Sequence, residues 1–131
     1  MKTIAVMHML LVQDMDRAIN FYQKTFGLTI TQKSDFWSNL ESGNGVISLC
    51  SFGNETELKD ETKLIIEVDD YQAAVELVKQ NKGTVVKIGE PYEGVPIYNV
   101  EIIDTENNKL IISQRVKEWN QFILLMLAWS C

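Results

Sequence analysis

The hydrophobic pattern at the start of the chain predicts a strand followed by an amphipathic helix. Residues 3–12 are apolar and rich enough in Ile and Val for a strand. Asp14 or Asp16 is placed to accept the free amide hydrogens at the start of a helix. Gly27 is expected to end that helix, because glycine adopts the left-handed terminal conformation without steric cost. The apolar residues that recur at three- and four-residue steps between these ends are Ala18, Phe21, Tyr22 and Phe26.

Three extended segments are predicted after this helix, and a polar run then interrupts the pattern. The three segments lie near 28–33, 36–42 and 45–52. The sequence Ser42-Gly43-Asn44-Gly45 separates the last two segments and is a strong hairpin signal. Residues 53–62 are polar and charged, which is typical of a linker.

The elements predicted after the linker repeat the order of the first half. They are a strand over 63–68, a helix over 71–81, and strands near 84–89, 97–103 and 109–114. The order βαβββ is therefore predicted to occur twice.

Identical residues at identical spacing support this repeat. Each pair is separated by 56 positions, as from 12 to 68. The pairs are Val12 and Val68, Asp14 and Asp70, Ala18 and Ala74, and Gly27 and Gly83. A repeat of this length indicates two copies of one supersecondary unit, arranged as a pseudo-symmetric pair.

Length, composition and charge narrow the class of protein. The chain has 131 residues, of which 46% are hydrophobic and 23% are charged, so it fits one compact domain or two small modules that share a core. Its net charge is −6 and it has no Lys/Arg cluster, which argues against nucleic acid as a partner. The acidic balance suits a cationic ligand, although a solvated acidic surface explains it more simply.

Cysteine usage and the N-terminus indicate a reducing compartment. The two cysteines, Cys50 and Cys131, form neither a disulfide framework nor a metal motif, so we expect a cytoplasmic protein. The apolar start is followed by Gln13-Asp14-Met15-Asp16 rather than a cleavage site, and no run is long enough to span a membrane. We therefore expect no membrane partner.

The repeat sets the expected domain organisation. Residues 1–115 form a single domain, with module one at 1–53, a linker at 54–62 and module two at 63–115. Residues 116–131 form an apolar C-terminal tail. Three roles stay open for this tail: a helix packed on the domain, a dimer contact, or a lid over a cavity.

The motifs of both halves resemble the vicinal oxygen chelate superfamily, which includes glyoxalase I, the extradiol dioxygenases and the bleomycin-resistance proteins. Residues 12–28, with their Val-x-Asp start, resemble its opening, and Val68-Asp69-Asp70 fits its second half. The turn over 104–109 also fits, although Thr105 and Asn107 depart from the usual Asp-Pro-Asp-Gly-Asn. The resemblance covers roughly residues 3–115. It implies an α+β glyoxalase-like fold, in which two tandem βαβββ modules form a curved mixed sheet around a central cavity.

The resemblance also implies positions for a divalent metal, one on each of four strands. These positions fall on Met7, Ser48, Lys63 and Ile111. A thioether is soft, isoleucine has no donor atom, a protonated serine is weak, and lysine adds a positive charge. We therefore expect no metal site of this kind and no cofactor.

Strand alternation selects the residues that face the predicted cavity. Lys63, Ile65 and Glu67 share one face of their strand. Lys63 therefore anchors an anionic ligand, acts as a base through a lowered pKa, or extends to water. Trp37 is favoured over Phe36 as a stacking residue. The full predicted ligand-binding set is Met7, Met9, Trp37, Ser48, Lys63, Glu67 and Ile111.

Two further candidates are expected to be structural. His8, the only histidine, alternates with Met7 and is predicted to face the helix layer. Cys50 has no basic partner nearby in the sequence and is predicted to be a buried, inert thiol.

The resemblance and the residues together favour a metal-free protein that reversibly binds a small, partly aromatic or amphiphilic molecule between its modules, as a homodimer. One alternative is a lyase, isomerase or dioxygenase-type enzyme with a displaced metal site that recruits His8 or a glutamate. Another is a non-catalytic regulatory or structural partner protein that docks through its tail.

Overall fold

The computed structural model describes residues 1–2, 4–51 and 64–116. The predicted linker at 54–62, Lys63 and the tail from 117 onwards lie outside the described residues.

Module one contains one helix and one mixed sheet of four strands. Its elements are β1 (Met7–Leu11), α1 (Met15–Phe26), β2 (Thr29–Gln32), β3 (Trp37–Ser42) and β4 (Gly45–Cys50). The strand order is β1-β4-β3-β2, with β1 parallel to β4 and the other pairs antiparallel. The central strands are therefore β4 and β3, and β1 lies at an edge.

Module two repeats this arrangement. Its elements are β5 (Ile65–Glu67), α2 (Tyr71–Gln80), β6 (Thr84–Gly89), β7 (Ile97–Ile103) and β8 (Lys109–Arg115). The order β5-β8-β7-β6, with β5 parallel to β8, copies that of the first sheet. The predicted α+β fold with two βαβββ modules is confirmed. Neither helix in the described part of the chain is long and apolar enough to cross a membrane.

The first strand is shorter than the predicted span of 3–12. It begins at Met7, which pairs with Val46, the second residue of β4, so residues 4 and 5 lie beyond the end of the neighbouring strand. The prediction was wrong at this end because apolar character alone does not supply a hydrogen-bonding partner.

The strand registers show which residues of the two modules correspond. Met9 lies opposite Ser48 in module one, and Ile65 lies opposite Ile111 in module two. Because Met9 and Ile65 are 56 positions apart, Ile111 is the counterpart of Ser48. Backbone bonds repeat as well, since Val12 N–H donates to the Cys50 carbonyl and Val68 N–H donates to the Ser113 carbonyl.

One core fills the space between the helices and one face of each sheet. Phe21 and Tyr22 of α1 are fully buried there, and their rings meet edge to face with centroids 5.1 Å apart. The sheets contribute alternate residues, as strand geometry requires. The strand residues buried in this core are Leu10, Leu40, Ile47, Leu49, Val100, Ile102, Leu110 and Ile112.

The two helices begin alike and end differently. Asp14 and Asp70 cap α1 and α2 by accepting N–H groups three residues on. Gly27 is left-handed with φ 67°, as predicted, but in the second repeat Lys82 takes this conformation with φ 70° and Gly83 does not. Gly83 therefore does not end α2 in the way that Gly27 ends α1, although the two glycines occupy corresponding positions in the repeat.

Candidate functional site

The sheet face that turns away from the helices in module one carries most of the predicted ligand-binding residues. Met7 and Met9 lie on this face of β1 and are 53% and 51% exposed. Leu10, the residue directly after Met9, is instead buried in the core. This burial confirms the predicted alternation of the strand. The face therefore presents two adaptable thioether side chains to a ligand.

A small hydrogen-bond network fixes the polar centre of this face. The Ser48 hydroxyl donates to Asn39 Oδ1 at 2.8 Å and lies 3.5 Å from Met7 Sδ. The Trp37 indole N–H donates to the same Asn39 oxygen at 2.9 Å. Trp37, Ser48 and Met7 thus share one face, which we call the module-one face together with Met9 and Asn39. Asn39 was missed by sequence reasoning, although its position two residues after Trp37 on one strand was the available signal.

Trp37 and its neighbour Phe36 occupy different settings. Trp37 is half-buried in β3 and its indole N–H is bonded, whereas Phe36 precedes the strand and is 69% exposed. The anchored indole is therefore the ring that the module-one face presents.

The corresponding face of module two carries an ion pair. Arg115 binds the Glu67 carboxylate with two N–H groups, and the bond from Nη2 to Oε2 is 2.9 Å long. The hydrogen bonds from Arg115 lower the pKa of Glu67 against a small opposing effect of burial, and the Arg115 charge adds to the lowering. Arg115 was not a predicted site residue, because strand alternation placed only Lys63, which lies outside the described residues, on the same face as Glu67.

The residues that correspond to the superfamily's metal positions do not fit a divalent ion. Ile111 offers no donor atom, Met7 offers a thioether, and the Ser48 hydroxyl is committed as a donor to Asn39. Within residues 1–2, 4–51 and 64–116, no three His, Cys, Asp or Glu side chains lie close enough together to hold a metal ion.

His8 and Cys50 lie as their strand positions predict. His8 lines a cleft with Thr25 and Phe26 of α1, on the helix side of β1. Cys50 has no exposed surface. The prediction of a buried cysteine is therefore confirmed.

The turn between β7 and β8 joins the two modules. The Glu106 carboxylate accepts the backbone N–H groups of Gln13 and Asp14 at 3.0 and 2.8 Å. It also accepts from the Arg17 guanidinium at 2.7 and 3.1 Å. This places a carboxylate at the start of α1, where the free N–H groups and the helix dipole favour a negative charge.

Two buried groups reinforce the same turn. The Tyr22 hydroxyl donates to Asp104 Oδ2 at 2.6 Å, and the Asn108 amide donates to the Leu11 carbonyl at 2.9 Å. Burial raises the pKa of Asp104, although hydrogen bonds from Tyr22, Asn108 and the Glu106 amide partly oppose it. Burial alone would also raise the pKa of Glu106, but hydrogen bonds from Arg17, Asp14 and Thr105 and the Arg17 charge outweigh it and lower that pKa.

An open cleft of about 770 Å³ separates the edges of the two sheets and extends between the helices. Two of the predicted ligand-binding residues, Met7 and Glu67, line it. Met9, Trp37, Ser48 and Ile111 are not among its lining residues. The structure thus divides the predicted set between this cleft and the outward sheet faces.

The fold and these motifs agree with comparisons to known proteins. The sequence profile of the Glyoxalase/Bleomycin resistance protein/Dioxygenase superfamily matches residues 4–111. The chain belongs to this superfamily. A comparison with curated protein sequences finds no significant match.

Solved structures with the same fold have diverged far in sequence. A glyoxalase/bleomycin resistance protein/dioxygenase family enzyme from Burkholderia phytofirmans PsJN is 21% identical, with a TM-score of 0.68 over 84% of this chain and 97% of that one. Lactoylglutathione lyase from Agrobacterium tumefaciens is 16% identical, with a TM-score of 0.66 over 86% of this chain and 95% of its own. The fosfomycin resistance protein FosX from Mesorhizobium loti is 13% identical, with a TM-score of 0.68 over 92% and 98%. At these identities the likeness shows the fold alone.

Proposed function

We propose that this protein is a metal-free member of its superfamily that reversibly binds a small, partly aromatic or amphiphilic molecule at the module-one face. The observation that carries this proposal is the bond from Ser48 to Asn39 beside Met7. These uncharged side chains occupy a position where a divalent metal ion would require anionic or imidazole donors.

The chemistry of the module-one face suits a flat ligand with a polar edge. Met7 and Met9 supply flexible, polarisable side chains that adapt to irregular shapes. Trp37 supplies a large ring whose orientation is held by its bond to Asn39. The ligand stacks on the indole, and its polar edge meets the partly exposed Asn39 amide, which the buried Ser48 hydroxyl holds in place.

We further propose that the protein acts in the cytoplasm as a homodimer. The support for the dimer is apolar surface on the edge strand β6, outside the module-one face and the cleft, where Val86 and Ile88 are 48% and 47% exposed. A symmetric partner would cover this surface, as closed homodimers commonly do. Sedimentation velocity on the full chain is expected to give twice the monomer mass, and a monomer at all concentrations would contradict this.

Calorimetric titration tests the proposed function directly. We expect zinc, nickel, cobalt and manganese to give no binding, and 1-naphthylmethylammonium, a flat aromatic cation, to bind. Trp37→Ala should weaken that binding by about tenfold, which corresponds to about 1.4 kcal/mol and is in the range of one aromatic contact. Phe36→Ala is the matched control, because Phe36 is an adjacent exposed ring outside the module-one face.

Two outcomes would overturn the proposal. Equal losses in Trp37→Ala and Phe36→Ala would show that the module-one face is not the binding site. Binding of one metal ion per chain, lost in His8→Ala, would instead support an enzyme with a displaced metal site.

A further inference from the structure

We infer that the cleft between the modules is a second binding site, for a small amphiphile with an apolar body and a cationic head. This site lies between β1 and β5 and extends to the ends of the helices; it shares Met7 with the module-one face but not Met9, Trp37, Asn39 or Ser48. The inference rests on the way the cleft breaks the symmetry of the two repeats, on a buried hydroxyl without a partner, and on the charge of the lining.

The cleft occupies the position that corresponds to the contact between Glu106 and α1. The pair Ile103–Lys109 precedes the turn of module two, and its counterpart in module one is Glu41–Val46, beyond which the pair Ser42–Gly45 closes a tighter turn. The turn of module two reaches the start of α1 through the Glu106 side chain, as described above. The turn at 42–45 faces the start of α2, yet its residues line an open cleft there.

The helix residues explain why this side stays open. Arg17 and Tyr22 bridge from α1 to the turn of module two. Their counterparts 56 positions later are Ala73 and Val78, whose side chains are too short and apolar to make such bonds. The unfilled space of about 770 Å³ is in the range of about 300–1,000 Å³ that small-molecule sites occupy.

The interior of the cleft is mostly apolar and contains the buried hydroxyl of Thr25. Thr25 is 5% exposed and lines the cleft, and its Oγ1 has no hydrogen-bond partner among the described residues. A buried hydroxyl without a partner costs free energy, so a ligand group that bonds to it gains affinity. The apolar residues around it are Phe26, Leu28, Ile47, Leu64, Ile66, Val68 and Leu77.

The charge of the lining selects a cationic head. Asp69 and Asp70 stand at the start of α2, and none of the described residues in the lining is Lys or Arg. Glu67 also lines the cleft, but its charge is balanced by Arg115. Thr25 lies in the last turn of α1, where the helix dipole adds partial negative charge. An ammonium group bonded to Thr25 therefore sits in a field that attracts it.

Nuclear magnetic resonance titration of the full chain with octylammonium, 1-octanol and octanoate tests this site. We expect octylammonium to bind more tightly than octanol, and octanoate most weakly, with amide shifts centred on Thr25 and Ala73. Asp69→Asn should weaken octylammonium about tenfold and leave octanol unchanged, because only the charged head senses the carboxylate. Thr25→Val should weaken both, since both heads pair with the hydroxyl.

Ala73→Phe should block the cleft, and Gln80→Phe is its control. Both positions are exposed on α2, so a large side chain is tolerated at either, but only Ala73 lines the cleft. Equal binding by these two variants would overturn the inference, as would octanoate binding as tightly as octylammonium or exclusion of all three probes. Trp37→Ala should leave octylammonium binding intact, which separates this site from the proposed site on the module-one face.

Discussion

At the scale of single residues, Gly83 is required by packing rather than by backbone conformation. A Cβ at this position would lie 2.8 Å from Phe21 Cε2 and 2.8 Å from Val78 Cγ1. A Cβ at Gly27 would meet none of the described residues within 4 Å, but φ there is +67°. One glycine therefore permits close contact between the modules, and the other permits a left-handed helix end.

This difference predicts distinct responses to alanine. Gly83→Ala should destabilise the fold by about 1–3 kcal/mol, because an added methyl group overpacks the core against Phe21. Gly27→Ala should cost about 1–2 kcal/mol through backbone strain alone. Urea unfolding measures both.

A double-mutant cycle with Phe21→Leu separates the two causes. The smaller side chain should relieve part of the cost of Gly83→Ala and none of the cost of Gly27→Ala. Additive effects at Gly83 would show that its contact with Phe21 is not the source of the loss.

At the scale of elements, the turn at 104–108 is the contact that orients module two on α1. Glu106 is buried and pairs with Arg17, whose side chain is 49% exposed. Because the carboxylate also bonds two backbone N–H groups, the pair is supported by more than its charges.

Replacement of Glu106 by Gln is expected to change the pH dependence of stability. At neutral pH, Glu106→Gln should lower the free energy of unfolding by about 1.5–3 kcal/mol, the range for hydrogen bonds to charged groups. The folded protein holds the pKa of Glu106 below its ordinary value of 4.5, so this stabilisation is present above pH 4.5 and is lost as the pH falls through the folded pKa. The deficit of the variant should therefore shrink in acid.

The pKa shift of Asp104 is opposite in sign to that of Glu106, so Asp104 must be considered in the same pH titration. Its pKa is raised above 3.8, so its ionisation lowers stability as the pH rises from that value. This contribution stays in both proteins and leaves the difference between them unchanged.

Glu76→Gln is the control, because the exposed pair of Glu76 with Lys79 should contribute less than about 1 kcal/mol. A deficit for Glu106→Gln that is constant from neutral pH to pH 3 would contradict the assignment.

At the scale of the whole molecule, the sequence repeat predicted the architecture well. The spacing of 56 and the hydrophobic periodicities predicted the positions of the two helices and eight strands of the described residues and their order along the chain. These patterns arise from local backbone geometry. The buried alternation on β1 and β5 followed from the same rule. Strand ends were less well predicted, as Met7 shows, because a strand ends where its partner does.

The site was only partly predictable. Trp37, Ser48 and Met7 were predicted to share a face, and their contacts agree. Asn39, which joins two of them, and Arg115, which pairs with Glu67, emerged only from the strand registers. Registers depend on loop lengths and on packing between distant segments, which a local pattern does not contain.

The sequence by itself determined the two βαβββ modules, their correspondence and the lack of suitable donors at the metal positions, because each follows from residue type and spacing. Tertiary structure alone decided how the repeats differ in space. The turn at 104–108 closes over α1, whereas the turn at 42–45 leaves a cleft beside α2, in which the Thr25 hydroxyl has no hydrogen-bond partner within the part of the chain that the structure describes. The reason is physical: side chains such as Arg17 and Glu106, 89 positions apart, meet only when the modules pack together.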